Sequence, residues 1–248
     1  MPIDNGIFKE TARLLVLYRS LRRFMFLKAA LGREPFYLRD VSPDTEFHGS
    51  SYGGWAILKD SLRADSVVYS FGLGRDVSFD MSLIRKYGCR VFGFDPTPKS
   101  IEWVRHEASH PNFQTQPVAL AKENGKLRMY QPQAGTADEV SASAAVTNIA
   151  HRDYFDADCR NLETLLQSHT QGRCDYLKLD IEGSEYEVLE QAVENKSLAN
   201  VGQLAVEFHH WMIDRGCSAT KRVVEMLRRD GYRIAWISRT NHEYLFVR

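Results

Sequence analysis

The spacing of hydrophobic and polar positions changes repeatedly along this chain, and each change marks an element. Apolar runs bounded by turn residues, Ser66-Val-Val-Tyr-Ser-Phe71, Arg90-Val-Phe-Gly-Phe94 and Tyr176-Leu-Lys-Leu179, read as buried strands. Between the first two, Phe79, Leu83, Ile84 and Tyr87 recur at helical spacing and predict a helix over residues 77–87, ended by Gly88. Thr97 followed by Pro98 predicts the start of a second helix. A strand is expected within residues 113–120, and Asn124-Gly125 predicts a hairpin turn into residues 126–130. Residues 131–158, rich in Ser, Ala and Thr, read as a long loop over a site. A short helix over 162–167, a strand over 201–208, a helix over 219–229 and a closing strand pair, 232–237 with 244–247, complete the chain. Alternation of this kind predicts an α/β fold whose mostly parallel sheet is covered on both faces, with the closing hairpin adding an antiparallel edge strand.

Ahead of the first strand, residues 35–55 read as loop, and residues 8–31 form an amphipathic pattern with Leu14, Tyr18, Leu21 and Met25 on one helical face. Residues 1–34 carry seven basic and three acidic side chains, a net of +4. A basic amphipathic helix lies on a membrane surface or a partner, or else covers the sheet or builds a homo-oligomer contact. Residues 1–48 are therefore read as a helical extension with its loop, and residues 49–248 as the main domain.

Composition narrows the classes further. The 248 residues are 44% hydrophobic and 26% charged with a formal net charge of zero, so a soluble fold is expected and no overall field gathers nucleic acid. No run of eighteen apolar residues suggests a membrane span. Asp4, Lys9 and Glu10 interrupt any secretory leader, and Cys89, Cys159, Cys174 and Cys217 lack metal-binding spacing. Both observations point to a cytoplasmic protein.

The candidate chemistry lies at two strand-to-helix breaks. In the first, Tyr69-Ser-Phe-Gly-Leu-Gly-Arg-Asp76, Gly72 and Gly74 let backbone approach a ligand. Asp95, 21 residues after Gly74, ends the next strand where an acid can accept both hydroxyls of a ribose. A dinucleotide fold would want a third glycine where Val77 stands, and Asp76 would oppose a pyrophosphate. Asp76 suits a ligand carrying an ammonium group, with a plain helix cap as the lesser reading. The second break is Lys178-Leu-Asp-Ile-Glu-Gly-Ser-Glu-Tyr-Glu187, where Asp180 and Glu182 stand at the strand end; Ser184 with Glu187 has the form of a capping box. The next strand ends in Glu207-Phe-His-His-Trp211, with Glu207 and His209 of one parity. Asp180 and Glu207 then share a rim suited to Mg²⁺, with His209 as base or ligand. Glu182 is equally a partner for the turn's own amides.

Lys178-Leu-Asp-Ile-Glu-Gly-Ser-Glu-x-x-Val-Leu189 resembles the signature of the FkbM family of S-adenosylmethionine-dependent methyltransferases. The resemblance implies a Rossmann-like class I methyltransferase fold with a mostly parallel seven-stranded sheet, covering residues 49–247. It implies S-adenosylmethionine as cofactor and O-methylation of a hydroxyl on a small molecule or sugar. In that setting Gly72, Gly74, Asp76, Asp95 and Ala119 would contact the cofactor, Ser70 standing where many relatives carry an acid. Ser143, with Ser141, resembles a Ser-rich element near the cofactor. Tyr52 and Trp55, flanking Gly53-Gly54, resemble an element that closes the cofactor or acceptor pocket, and with Glu182 they are the substrate-side candidates. Asp180, Glu207 and His209 would orient and deprotonate the acceptor. An NAD-dependent oxidoreductase and a non-catalytic cofactor-binding scaffold are the alternatives.

Overall fold

A strand buried on both faces needs apolar side chains on both, and every residue of Val67–Phe71 is buried. In the computed structural model, which describes residues 28–29, 34–132, 142–144 and 151–248, two short strands precede it: β1 (Thr45–His48), inside the stretch expected to be loop, pairs antiparallel with β2 (Trp55–Leu58), which starts at that stretch's end. Alternation over four residues is too brief to stand out. Strand β2 is fixed from outside itself, the Leu58 amide donating to Gln203 Oε1 at 2.7 Å and the Tyr176 hydroxyl to the Ala56 carbonyl at 2.9 Å.

Val67–Phe71 is β3. It is followed by α1 (Ser78–Tyr87), β4 (Arg90–Phe94), α2 (Pro98–Glu107) and β5 (Phe113–Gln116). Helix α1 ends as expected, with Gly88 left-handed at φ 69° and its amide donating to Ile84. After the small strand β6 (Ala119–Leu120) come β7 (Gly125–Pro132), β8 (His151–Arg160) and α3 (Leu162–Thr170). Then follow β9 (Cys174–Leu179), α4 (Glu185–Glu194), β10 (Val201–Glu207), α5 (Gly216–Arg229), β11 (Arg233–Ile237) and β12 (Glu243–Val247).

Seven strands form the main sheet in the order β11-β12-β10-β9-β3-β4-β5. Their neighbours pair in parallel except around β12, which is antiparallel to both β10 and β11. The closing hairpin therefore forms at this edge, but its antiparallel member stands one place inside it. Asn241 turns the hairpin at φ 64° and folds β12 back into the slot beside β10. The chain lays down β3, β4 and β5 outward, then returns to place β9 on the other flank of β3. The β3/β9 junction is a topological switch point, where the carboxyl ends of strands open a crevice.

One face of the sheet buries Val68, Val91, Tyr176 and Ala205 against Phe79, Leu83, Ile101 and Val104 of α1 and α2. A second aromatic group stacks Tyr69, Phe71, Phe92 and Phe94 near His169 of α3.

Three expectations about the middle of the chain need correction. Residues 113–120 do not make one strand: β5 joins the large sheet, whereas β6 joins a second sheet ordered β6-β8-β7. Asn124-Gly125 accordingly does not turn a hairpin between β6 and β7. Its Asn124 side chain instead bonds Thr164 and the Asn161 amide at the start of α3, and β8 pairs between the two strands. Strand β8 begins inside the expected loop and runs two residues past its end. Its Ala157 and Cys159 are buried while Asp156 and Asp158 are exposed, a period-two pattern carried by small side chains and therefore faint.

Leu38–Arg248 is one compact unit and Met1–Tyr37 another. Of the basic helix expected over residues 8–31, only Lys28 and Ala29 lie among the described residues, both helical. Among those residues, no helix is long and apolar enough to cross a membrane.

Candidate active site

A cavity of about 690 Å³ opens at the switch point, a size usual for a small-molecule or cofactor site. Its floor is the β3–α1 turn. Gly72 sits at φ 79°, and a Cβ added there would lie 1.7 Å from the Asp180 carbonyl oxygen, so this position has room only for hydrogen. Gly74, at φ 53°, has nothing within 4 Å of where its Cβ would be and presents bare backbone to the cavity. Asp95, from the end of β4, braces this turn: Oδ2 accepts the amides of Leu73 at 3.0 Å and Gly74 at 2.9 Å, and Oδ1 accepts that of Thr97 at 2.8 Å. Burial raises the Asp95 carboxyl against these hydrogen bonds. A carboxylate has about four acceptor positions; three amides fill three of them, and the Thr97 hydroxyl bonds the carboxyl as well.

Asp76 also lines the cavity and anchors the loop between β1 and β2. It accepts from Ser78 N at 2.9 Å and from Ser50 Oγ at 2.5 Å, and Ser50 Oγ in turn accepts the amides of Tyr52 and Gly53. Burial works against ionisation of Asp76, but the Ser50 and Ser78 hydrogen bonds hold its carboxyl below the ordinary range. This contact brings Tyr52 to the rim and Trp55, buried on β2, to the wall. Val118, Ala119 and Leu120 make an apolar strip on the opposite side.

Two sequence candidates stand elsewhere. Ser70 is fully buried beneath the turn and does not line the cavity. Ser143 is buried with its hydroxyl donating to the Glu182 carbonyl at 2.5 Å, so it braces the second break while Ala142 lines the cavity. Ser141 lies outside the described residues.

The second break is built differently from the expected capping box. Ser184 takes helical angles, φ −84° and ψ −6°, and its side chain caps nothing. Glu182 at φ 53° and Gly183 at φ 101° are both left-handed, which turns the amides of the break toward the side chain of Glu185. Fully buried Glu185 accepts from Ile181 N at 2.9 Å and Gly183 N at 3.0 Å. Its Oε1 also lies 2.8 Å from His209 Nδ1. Glu185 was legible only as part of the signature; no spacing rule marks it.

His209, 4% exposed, is the hub of the acceptor side. Its Nε2 faces Glu182 Oε2 at 3.6 Å, Asp180 Oδ1 at 3.8 Å and Glu207 Oε1 at 3.9 Å. Burial would discharge the imidazole, but Glu185, Glu182 and Asp180 outweigh it and raise His209 well above its ordinary value. Burial and the charge of Asp180 push Glu207 up to about 8 against the opposing pull of His209. Glu243, opposite Glu207 across the β10–β12 pair, adds a further carboxylate. His210 points away from this group and packs against Trp211 and His242.

Lys178 was overlooked because it interrupts a buried strand. Its ammonium donates to the Gly72 carbonyl at 2.6 Å, stands 3.5 Å from Asp180 Oδ2, and lies 5.4 Å from the centroid of Trp55. It thus ties the two breaks together from beneath. On the same side, burial pushes Asp80 of α1 up to about 6 despite the attraction of Lys178. Because this folded value exceeds the ordinary 3.8, the fold binds a proton that the unfolded chain has released. Stability from this group is therefore present below about pH 4 and lost as pH climbs to about 6, on the order of 3 kcal/mol in total. Asp80→Asn should flatten that part of the profile. Urea midpoints for both proteins between pH 4 and 7 check it, and parallel curves would disprove it.

The strand order and the glycine turn at the switch point define the class: this is a class I methyltransferase fold, whose enzymes draw the methyl group from S-adenosylmethionine. A model of the methyltransferase FkbM domain matches residues 66–234, and the chain belongs to that family. A human protein described as "Probable methyltransferase-like protein 24" is 27% identical over 146 residues, 58% of this chain and 33% of that protein. Its rat counterpart is 29% identical over the same shares. The chain thus spans about a third of the length of these curated relatives. Among solved structures, the methyltransferase FkbM from Methylobacillus flagellatus KT aligns at TM-score 0.45 and 14% identity, covering 75% of this chain and 44% of that one. The Methanococcus jannaschii fibrillarin pre-rRNA processing protein aligns at TM-score 0.45 and 12% identity, covering 75% and 68%.

Proposed function

We propose that this methyltransferase moves the methyl group of S-adenosylmethionine to a hydroxyl of a small molecule or sugar. The observation that carries this reading is the single cavity shared by the Gly72–Gly74 turn, Asp95 and the Asp180–Glu207–His209 group. The cradle fits the cofactor. Gly74 offers open backbone, Asp95 lines the cavity where a ribose hydroxyl can take the place of the Thr97 hydroxyl, and the strip around Ala119 suits an adenine face. Asp76 supplies negative charge for the ammonium end. Ser70 and Ser143 support the two turns from behind rather than touching the cofactor.

Transfer is an in-line displacement: the acceptor oxygen forms a bond to the methyl carbon as the carbon–sulfur bond breaks, and the hydroxyl proton must leave. In the metal-free protein His209 carries its own proton, so it cannot take another. Asp180, partly open to the cavity and held by Lys178, is placed to receive it. Glu182 and Tyr52 stand beside the acceptor space, with Trp55 as its wall. A Mg²⁺ ion held at Asp180, beside Glu207, would lower the pKa of a hydroxyl bound to it.

Carboxylates from Asp76, Asp180, Glu182 and Glu243 outnumber the cations Arg75 and Lys178 in the lining of one cavity. They favour a cationic sulfonium and a neutral acceptor and disfavour a polyanion, which supports a small acceptor over nucleic acid. The cytoplasm fits the four free cysteines, three of them buried. Oligomer or membrane-surface contact through the N-terminal helix remains part of the proposal. Labelled S-adenosylmethionine offered with a panel of polyols, phenols, amines and RNA should mark hydroxyl compounds; label found only in RNA or on amines would refute the assignment.

A further inference from the structure

We propose that Asp180, Glu182 and His209 form a binding site for a divalent cation of the manganese or magnesium type, facing the acceptor end of the cavity. The proposal deepens the methyl-transfer reading and depends on it for its role, although cation binding can be measured without it.

The ligand atoms of these three residues all lie within 4.8 Å of one another. His209 Nε2 stands 3.6 Å from Glu182 Oε2 and 3.8 Å from Asp180 Oδ1. Both separations are too long for a hydrogen bond. They match two ligands on one ion, which stand about 3–4.3 Å apart when each bond is about 2.1 Å.

A second observation concerns the imidazole itself. His209 is 4% exposed, and its Nε2 aims at the carboxylates of Glu182 and Asp180 from beyond hydrogen-bond reach. Its other nitrogen is fixed at 2.8 Å by Glu185, which is fully buried and itself held by two backbone amides. A buried carboxylate orienting the far nitrogen of a histidine is the usual support of a metal ligand. The break adds a third. Glu182 is held left-handed at φ 53°, a conformation that costs a non-glycine residue free energy. Ser143 bonds its carbonyl and Glu185 the amide after it, so the surroundings enforce this conformation and with it the aim of the side chain.

One imidazole among carboxylates is an oxygen-rich donor set, which suits Mn²⁺ or Mg²⁺ better than thiolate-seeking ions. A cation bound there takes the place of the Nε2 proton. Its remaining positions face the cavity, so the acceptor class it selects has paired oxygens, such as neighbouring hydroxyls or a hydroxyl beside a carbonyl. Glu207, expected as a ligand, stands 3.9 Å from Nε2 and outside the mutually close trio; it borders the site instead.

The test is a Mn²⁺ titration of the full chain followed by electron paramagnetic resonance, with S-adenosylhomocysteine titrated calorimetrically on the same samples. One Mn²⁺ per chain, displaced by Mg²⁺, is expected. Asp180→Asn and Glu182→Gln should each weaken it at least 10-fold, and Glu185→Gln by about 10–100-fold. Asp158→Asn, an exposed change at the Lys126 ion pair, should leave it unchanged. Retained S-adenosylhomocysteine binding shows that the variants fold. No Mn²⁺ binding, or equal binding by Asp180→Asn, overturns the cation site alone. Failure of the native chain to bind S-adenosylhomocysteine overturns the methyl-transfer reading, whatever Mn²⁺ does.

Discussion

Gly72→Ala is expected to destabilise the protein by at least about 3 kcal/mol, among the larger effects of a single substitution. Two costs combine. A left-handed alanine at φ 79° costs roughly 1–2 kcal/mol. Its methyl would then meet the Asp180 carbonyl at 1.7 Å, where the partner is backbone and cannot swing aside. β3 and β9 must part at the point where their register is set by Asp180 N donating to Phe71 O. At about 2–4 °C per kcal/mol for a unit of this size, the melting temperature should fall by about 6–12 °C. Gly74→Ala makes the informative contrast. With nothing within 4 Å, it should cost little beyond its dihedral, yet it places a methyl where the cofactor would lie. Thermal melts and S-adenosylhomocysteine titrations of the pair should thus separate, the first variant losing stability and the second mainly affinity. Equal melting temperatures for Gly72→Ala and the native chain would disprove the close-approach argument.

Asp180→Asn is expected to lower methyl transfer by about 10²–10⁴-fold, the usual contribution of a group that takes a proton in the transition state. Asparagine keeps the shape and the backbone bond to Phe71 but removes the charge opposite Lys178 and His209. Binding of S-adenosylhomocysteine should change far less, because the floor of the cradle is backbone and Asp95. Glu207→Gln should be milder, since Glu207 is pushed up to about 8 and holds its proton at neutral pH. Single-turnover rates with saturating acceptor make the comparison; an Asp180→Asn rate within a few-fold of native would assign the proton to another group.

The parallel core of this fold was legible because its signals are local. Val67–Phe71 is apolar throughout, Gly88 ends α1, and Gly72, Gly74 and Asp95 sit where a strand-to-helix turn needs them. The missed elements depend on partners distant in sequence. Strand β2 is held by Gln203 and Tyr176, and β8 by strands from two separate segments, so neither pattern is strong alone. The site followed the same division. Asp180, Glu207 and His209 could be placed on one rim from strand ends and parity. Glu185 could not, because its role arises only once Glu182 and Gly183 turn left-handed and direct two amides at it. Lys178 was hidden for a related reason: a lysine inside a buried strand makes sense only when the Gly72 carbonyl and Asp180 are seen beside it.

The most direct test of the central claim is calorimetric titration of the full chain with S-adenosylhomocysteine and, separately, with NADH. The account predicts saturable binding of S-adenosylhomocysteine near one per chain, weakened in Gly74→Ala and Asp95→Ala, and no heat from NADH. Saturable NADH binding with none for S-adenosylhomocysteine would contradict it.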